Sequence, residues 1–553
     1  MKKEIKITYN GLSERSVSLG TTFKEISEHY KNDFKYDILC AKVGTDIVEL
    51  GDTVTKKCNI EFFDRSSSLG HTIYESSAIF ILILAIKNIY GDDAKVVVRH
   101  SLDNGIYCEL VGITVTNDVL DNIYSEMNSI VEANYLFEKY SVSRSDAIKY
   151  FKNRNQIDKV NVLRYISNTY INLYRLDDLY DYFYSKLAYS TKQIDDFKLN
   201  YVSNNGFVLS VPTVSHPNMT REYRHHENIA LAYDNMEFVA RNIGVVLASD
   251  LNRVVSNAKI SELINHSEAY YNSQLQRTAA DIVSREDAKL VLLAGPSSSG
   301  KTTTSKKLVS YLKSYGKNVV QISVDNYYKT RELTPKDENG NYDYECLEAL
   351  DLDLLNEQLI DLMNGKEVQM PIHDFVTGEN SFTGPKVKLE ENDILIVEGI
   401  HCINDNMTPS IDKKYKYKIY ICPLIELNID KHNYIHSTDI RKLRRIIRDS
   451  RTRGCSALDT LKMWDSIRIG EEKYIYPYSD SADIVINSSL LYEVGVLKTY
   501  AEPLLFAVNE DEEVYSEALR LINFLRNFLP IPSDHVPIDS VLREFIGGSC
   551  FRD

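Results

Sequence analysis

A chain of 553 residues is too long for one core, and at roughly 100 to 200 residues per domain it divides into three or four units. Its 64 basic residues are outnumbered by 79 acidic ones, a formal charge of -15, which disfavours generic binding to a nucleic-acid backbone. Eight dispersed cysteines with no C-x-x-C pair argue against a disulfide framework and suit free thiols in a reducing cytosol, so a cytoplasmic location is expected. The start, MKKEIKITYN, is charged and strand-like, without the apolar core of a secretion signal. The most apolar run, AIFILILAI (Ala78 to Ile86), falls short of the ~20 residues that cross a bilayer; it predicts a buried helix, and no membrane partner is expected.

In chain order, EIKITY predicts a strand, Gly11 a turn into a second strand, and GTTFKEISEHY a helix capped by Thr21 or Thr22 with Glu25 completing a capping box. DILCAKVG, DIVEL and NIEFF predict three further short strands, so residues 1–65 read as a small β-grasp unit. With its GTTFKEI helix start and DIVELGDTV hairpin, this unit resembles the TGS domain of threonyl-tRNA synthetases. Residues 66–212 resemble the α+β editing domain of the same enzymes, carried by HTIYESSAIFIL, SLDNGIYCEL, VSRSDAIKYF and LYRLDDLYDYFYSKLAYSTKQIDDFKL. That family builds a metal-type constellation on H-x-x-x-H and C-x-x-x-H, and the matching positions here are His71, Glu75, Phe183 and Leu187. Phe and Leu have no lone pair to offer a metal, so neither zinc nor editing is expected. Residues 213–288 read as a helical connector that leads into the strand KLVLLAG.

That strand opens the strongest motif. Gly295, Gly300, Lys301 and Thr302 satisfy G-x-x-x-x-G-K-[ST], with a β-rich run before and helix formers after. The glycines permit close backbone approach, and the loop N–H groups of Ser297, Ser298 and Ser299 with the helix start at Lys301, Thr302 and Thr303 cradle phosphates. Lys301 reaches the β and γ groups, and the Thr302 hydroxyl is offered to Mg²⁺. Two carboxylates close strands, Asp325 after NVVQISV and Glu398 in DILIVEGIH. In an open parallel sheet both face the ligand crevice, where one can take the proton of an attacking hydroxyl and the other can hold or orient the metal.

Six segments in order, GPSSSGKTT, SVDNYY, NYDYECLEALDLDLL, MPIHDFVTG, ILIVEGIH and LRRIIRDSRTRG, resemble the uridine kinase and phosphoribulokinase family. The resemblance implies a doubly wound α/β P-loop kinase over residues 289–500, a nucleoside acceptor, Mg²⁺, and ATP or GTP as donor. It implies that Asp325 is the general base, Tyr328 flanks the nucleoside, and Glu345 stands where the family places an Asp on the ribose diol. Arg445, Arg448 and Arg453 fall at its lid positions, with Cys455 where a further Arg belongs. At helical spacing Arg441, Arg445 and Arg448 share a face, which suits a lid closing on phosphates. In the base pocket His373 and Phe375 remain, but the base-reading His has become Gly378, so selectivity between uridine and cytidine is not implied.

Residues 501–553 read as a C-terminal helical extension, and the REFIGGSCF tail has no physical account at this level. KKYKYKIY (413–420) reads as a sheet strand with a solvated start rather than a nucleic-acid stacking site, and His225 and His226 as polar side chains on an exposed helix face rather than metal ligands. The leading expectation is a nucleoside 5′-kinase. The alternatives are a tRNA- or ribosome-interacting regulator, with weak RNA contact through residues 1–212, and a P-loop kinase of another hydroxyl such as a sugar phosphate. A homo-oligomer is admissible.

Overall fold

The computed structural model describes residues 4–92, 94–336, 340, 342–374 and 377–551. Strands β1 (Glu4–Tyr9) and β2 (Ser13–Ser18) form the expected hairpin about Asn10 and Gly11, both at positive φ. Helix α1 (Phe23–Ser27) starts at a true capping box: the Thr22 hydroxyl accepts from Glu25 N–H at 3.1 Å and the Glu25 carboxylate accepts from Thr22 N–H at 2.9 Å. With β3 (Ile38–Val43), β4 (Asp46–Glu49) and β5 (Cys58–Asp64) the sheet order is β2-β1-β5-β3-β4, β1 and β5 running parallel.

The apolar run at 78–86 is the middle of a longer helix, α2 (Ser68–Tyr90). Its 23 residues are long and apolar enough to cross a membrane, but 78% of the apolar window is buried inside the protein. Around it lie β6 (Lys95–Leu102), β7 (Gly105–Val111), α3 (Asn117–Ala133), β8 (Glu138–Ser143), α4 (Arg144–Asn153), α5 (Ile157–Tyr165), β9 (Tyr170–Leu176), β10 (Leu179–Asp181), β11 (Lys198–Ser203) and β12 (Gly206–Ser210). They form two antiparallel sheets, ordered β11-β12-β7-β6 and β10-β9-β8.

Helices α6 (Glu227–Ile243), α7 (Ala248–Ser256) and α8 (Ile260–Ser284) follow. They are helical as expected, yet Met236, Leu251, Leu275 and Ile282 join one core with the P-loop strand and the C-terminal helices. His225 and His226 precede α6 instead of lying on it. His226 is also not idle polarity: it bridges Asp480 at 2.6 Å and Asp103 at 3.4 Å, tying the second unit to the last.

The last unit is built on β13 (Leu290–Ala294), α9 (Lys301–Ser314), β14 (Val319–Ser323), α10 (Leu352–Met363), β19 (Ile394–Glu398), β20 (Lys416–Cys422) and β21 (Ile484–Asn487). Between α10 and β19 come two small antiparallel pairs, β15 (Val368–Gln369) with β18 (Lys386–Val387) and β16 (Ile372–Asp374) with β17 (Glu379–Ser381). The main sheet runs β14-β19-β13-β20-β21, parallel throughout, and LVLLA of β13 is buried on both faces, as a covered parallel strand requires. KKYKYKIY becomes a strand only from Lys416. Its start is solvated, Lys413 and Lys414 being exposed, while Lys416 and Lys418 are buried, donating to Thr408 O and to Asp405.

Helices α11 (Ser437–Thr452), α12 (Ala457–Tyr474), α13 (Glu493–Phe506), α14 (Tyr515–Leu525) and the short α15 (Arg543–Ile546) finish the chain. α13 runs through residues 500 and 501, so no break falls there, and Leu521, Val541 and Phe545 belong to the same core as Val291. The 423–436 connection into α11 docks on the second unit. Asn428 donates to Arg99 O at 2.8 Å, Val98 N–H donates to Lys431 O at 2.8 Å, and Lys159 lies 2.5 Å from Asp181 and 3.3 Å from Asp430. Burial opposes ionisation of Asp181, but Lys159 and His432 hold it down to about 2.

Candidate active site

The phosphate loop leaves β13 at the centre of the sheet, where the chain has strands on both sides and the crevice opens. Gly295 is required by close approach, since a Cβ there would lie 2.2 Å from Ile421 O of β20. Gly300 caps α9 at φ 91, a left-handed conformation that suits glycine. The Ser298 and Ser299 hydroxyls are buried without a partner, and Lys301 is turned onto the loop itself, donating to Gly295 O at 2.8 Å and Pro296 O at 3.2 Å. Thr302 is half-buried in the first turn of α9.

Asp325 does not end a strand. β14 stops at Ser323, and Asp325 lies in the single 3-10 turn that follows, exposed, its N–H donating to Ser323 Oγ at 3.3 Å. Glu398 is the last residue of β19 and accepts from Ser305 Oγ at 3.3 Å. Burial pushes Glu398 up to about 7; Lys301 pulls it back, while Glu544 and Asp325 push it further. Lys301 in turn is lowered by burial against the opposing pull of Asp325, Glu398 and Glu544. Three carboxylates thus converge on one lysine.

Glu345 packs against α12 through Gly470, where a Cβ would lie 2.6 Å from the Glu345 Cβ. Burial, then Glu471, raise it to about 7, with Arg445 and Lys301 pulling down. Tyr328 is buried and donates to Tyr344 O at 3.0 Å, and its ring lies 6.0 Å from His373. His373 Nδ1 is 2.6 Å from Asn380 Oδ1, and Asn380 donates to Tyr328 O at 2.9 Å. Phe375 lies outside the described residues. Gly378, at φ 75, has Arg331 where a side chain would go, with its Cβ 3.0 Å from the position a Cβ would take.

The basic helix α11 divides its arginines. Arg445 donates to Ser297 Oγ at 2.6 Å and lies 3.1 Å from Asp449; Arg448 is 2.7 Å and Arg453 3.7 Å from the same buried Asp449. Arg441 does not share their role. It is buried in an ion pair with Glu471 and donates to Ser297 O at 2.9 Å, while Arg444 is sealed against Glu493 at 2.8 Å. Asp449, Glu471, Glu493, Arg331 and Asn380 were not singled out in the sequence. Only Asp449 had a local signal, an acid within an arginine-rich helix turn.

A glycine-rich loop between the central strand of an all-parallel sheet and its helix, with one carboxylate at the end of the adjoining strand, another in the turn after the next, and a cluster of arginines above, defines a P-loop kinase core. Residues 290–492 match the family described as the phosphoribulokinase / uridine kinase family, and the chain belongs to it. It is 31% identical over 198 residues to the uridine kinase of Staphylococcus aureus (strain JH9), covering 36% of this chain and 86% of that enzyme. It is 29% identical over 197 residues to the threonine–tRNA ligase of Clostridium novyi (strain NT), covering 35% of this chain; the chain spans only 31% of the ligase. Among solved structures it is similar to D-glycerate 3-kinase from Cryptococcus neoformans, at 18% identity over 37% of this chain and 87% of that one, with a TM-score of 0.28.

Proposed function

We propose that residues 289–500 transfer the γ-phosphate of ATP or GTP to the 5′-hydroxyl of a ribonucleoside, with Mg²⁺. The observation that carries this reading is the convergence of Asp325, Glu398 and Glu544 on Lys301 at the mouth of the parallel sheet, with Glu345 also within its influence, opposite the three arginines gathered by Asp449. The donor set fits a divalent cation: Glu398 is held near neutral by burial and by like charges, and a cation is the group that would relieve that repulsion. Glu398 and the Thr302 hydroxyl would hold it. When bound, Mg²⁺ would neutralise charge that develops on the transferred phosphoryl group.

The chain supplies the rest. Lys301 swings from Gly295 O to the outer phosphates, Asp325 accepts the hydroxyl proton, and Arg445, Arg448 and Arg453 stabilise charge on the transferred group. Glu345, once ionised, can accept one hydrogen bond from each hydroxyl of a cis-diol. Tyr328 and His373 wall the acceptor pocket; because Arg331 fills the space at Gly378, base recognition here departs from the family pattern.

We read residues 1–65 as a TGS-like β-grasp unit, supported by the strand order about a parallel central pair, and 66–212 as an editing-like module without its metal set, supported by the ligase similarity. That similarity also favours a second reading, a weak RNA contact through residues 1–212. Salt-sensitive retention of tRNA by the whole chain would support it.

The test of the main reading is nucleoside-dependent ADP release from Mg-ATP across ribo- and deoxyribonucleosides, with Asp325→Asn as control. Release that the control abolishes establishes the kinase and names its base. Release only with a sugar phosphate redirects the acceptor, and no release despite nucleotide binding favours the RNA-linked reading.

A further inference from the structure

The REFIGGSCF tail, silent as sequence, lies across the phosphate loop. Val541, Leu542 and Phe545 are fully buried, and a Cβ on Gly300 would come 2.4 Å from a Val541 methyl, so the strap presses on the loop glycine. Lys307 of α9 holds Asp539, donating to its backbone O at 3.0 Å and its carboxylate at 2.8 Å. Arg451 of α11 donates to Glu544 O at 2.9 Å and Phe545 O at 3.2 Å, and the Arg444 guanidinium lies 5.0 Å from the Phe545 ring centroid.

These contacts aim one side chain. The Glu544 carboxylate accepts from Thr303 N–H at 3.0 Å, at the first turn of the 14-residue helix α9. A helix N-terminus behind a glycine-rich loop is an anion site, and a carboxylate there satisfies the donor that a phosphate needs. A second loop amide is also taken, Ser297 N–H donating to Glu471 at 3.0 Å, and Lys301 is folded back on the loop carbonyls. The cradle is therefore filled from within, by carboxylates where phosphate oxygens would go.

We propose that the segment Ser533–Phe551 is an autoinhibitory strap that places the Glu544 carboxylate in the phosphate-binding mouth of α9, and that the donor nucleotide binds fully only when the strap moves off. The proposal rests on the reading that the P-loop takes a nucleoside triphosphate. It makes donor affinity a property of the C-terminus, since anything that draws the strap away opens the site.

The test is the dissociation constant of Mg-ATP, measured by calorimetry without acceptor, for the whole chain and for Glu544→Gln and Arg451→Ala. Removing the charge should tighten binding about tenfold, the scale of one charge-assisted hydrogen bond at a helix terminus. Arg451→Ala, which frees the strap without touching the carboxylate, should tighten it by less. In the unaltered protein, amide hydrogen exchange over 540–547 should speed up when Mg-ATP is added. Equal affinity in all three proteins, or weaker binding by Glu544→Gln, overturns the strap while leaving the P-loop reading intact; so does unchanged exchange with nucleotide bound. Absence of binding in every protein at millimolar Mg-ATP overturns both.

Discussion

Two polar side-chain clusters share this chain, one around His71 on α2 and one around Lys301 on α9, and their surroundings are opposite. Around His71 the polar demand is met internally. His71 Nδ1 lies 3.0 Å from Pro212 O, Glu75 accepts from Tyr434 Oη at 2.7 Å and lies 3.5 Å from His436, and burial keeps His71 neutral by pulling its pKa down. The other two corners are hydrocarbon: the Phe183 ring lies tilted against Phe80 with centroids 5.1 Å apart, and Leu187 is 1% exposed. Around Lys301 the demand is met only in part: Glu544 and Glu471 take two loop amides and Lys301 turns onto the loop carbonyls, but other groups are left over. Two serine hydroxyls have no partner, and two carboxyls are pushed to about 7. A site whose polar groups pair with one another has nothing left for a ligand, whereas buried groups held away from their preferred ionisation are ready for one.

The comparison breaks most visibly at Asp325. Asp325→Asn should lower kcat by about 10²- to 10⁴-fold, the range for loss of a general base, with Mg-ATP affinity and melting temperature unchanged. The mirror experiment is Phe183→Ala, which opens a cavity in the core around α2 and should cost about 3–5 kcal/mol of stability in denaturant titration, with kcat per folded molecule unchanged. If Phe183→Ala instead abolished turnover in fully folded protein, the two sites would not be independent.

What the sequence disclosed, and what it hid, follows the same division. Strands, capping box and phosphate loop were legible because each is written in adjacent residues: Thr22 with Glu25, or Gly295 through Thr302. The arginines of α11 were legible as a cluster but not in their roles. Helical spacing put Arg441 beside Arg445, but only the fold brings up Glu471, 30 positions later, to neutralise Arg441 in the interior. Glu544 lies 241 residues from the amide it occupies, and no local pattern marks such a pair. The solvated start at Lys413 and Lys414 was legible, but the burial of Lys416 and Lys418 was not, because Asp405, the acid beside them, sits on a separate turn.

A smaller effect distinguishes the sites by pH. In the cation-free protein Glu398 keeps its proton up to about 7, whereas the unfolded chain gives it up near 4.5. The folded state then binds more protons across that window, so stability falls as pH rises from 4.5 to 7. Glu398→Gln should flatten this slope in melting curves. Mg²⁺ should oppose it, binding more tightly as pH rises and releasing a proton as it binds. A slope unchanged by the substitution would mean that Glu398 is already ionised in the empty site.

His71→Ala should produce the smallest change. It removes one partly buried hydrogen bond to Pro212 O, worth about 1 kcal/mol, which should lower the melting temperature by a few degrees. Tyr434 still satisfies Glu75, so the 423–436 connection should stay docked on the second unit and α11 should keep its place over the phosphate loop. Kinase kcat and donor affinity should therefore not move. A fall in kcat without loss of stability would carry a different meaning: through Glu75 and His436, which immediately precedes α11, the His71 cluster would be helping to set the arginines above the phosphate loop.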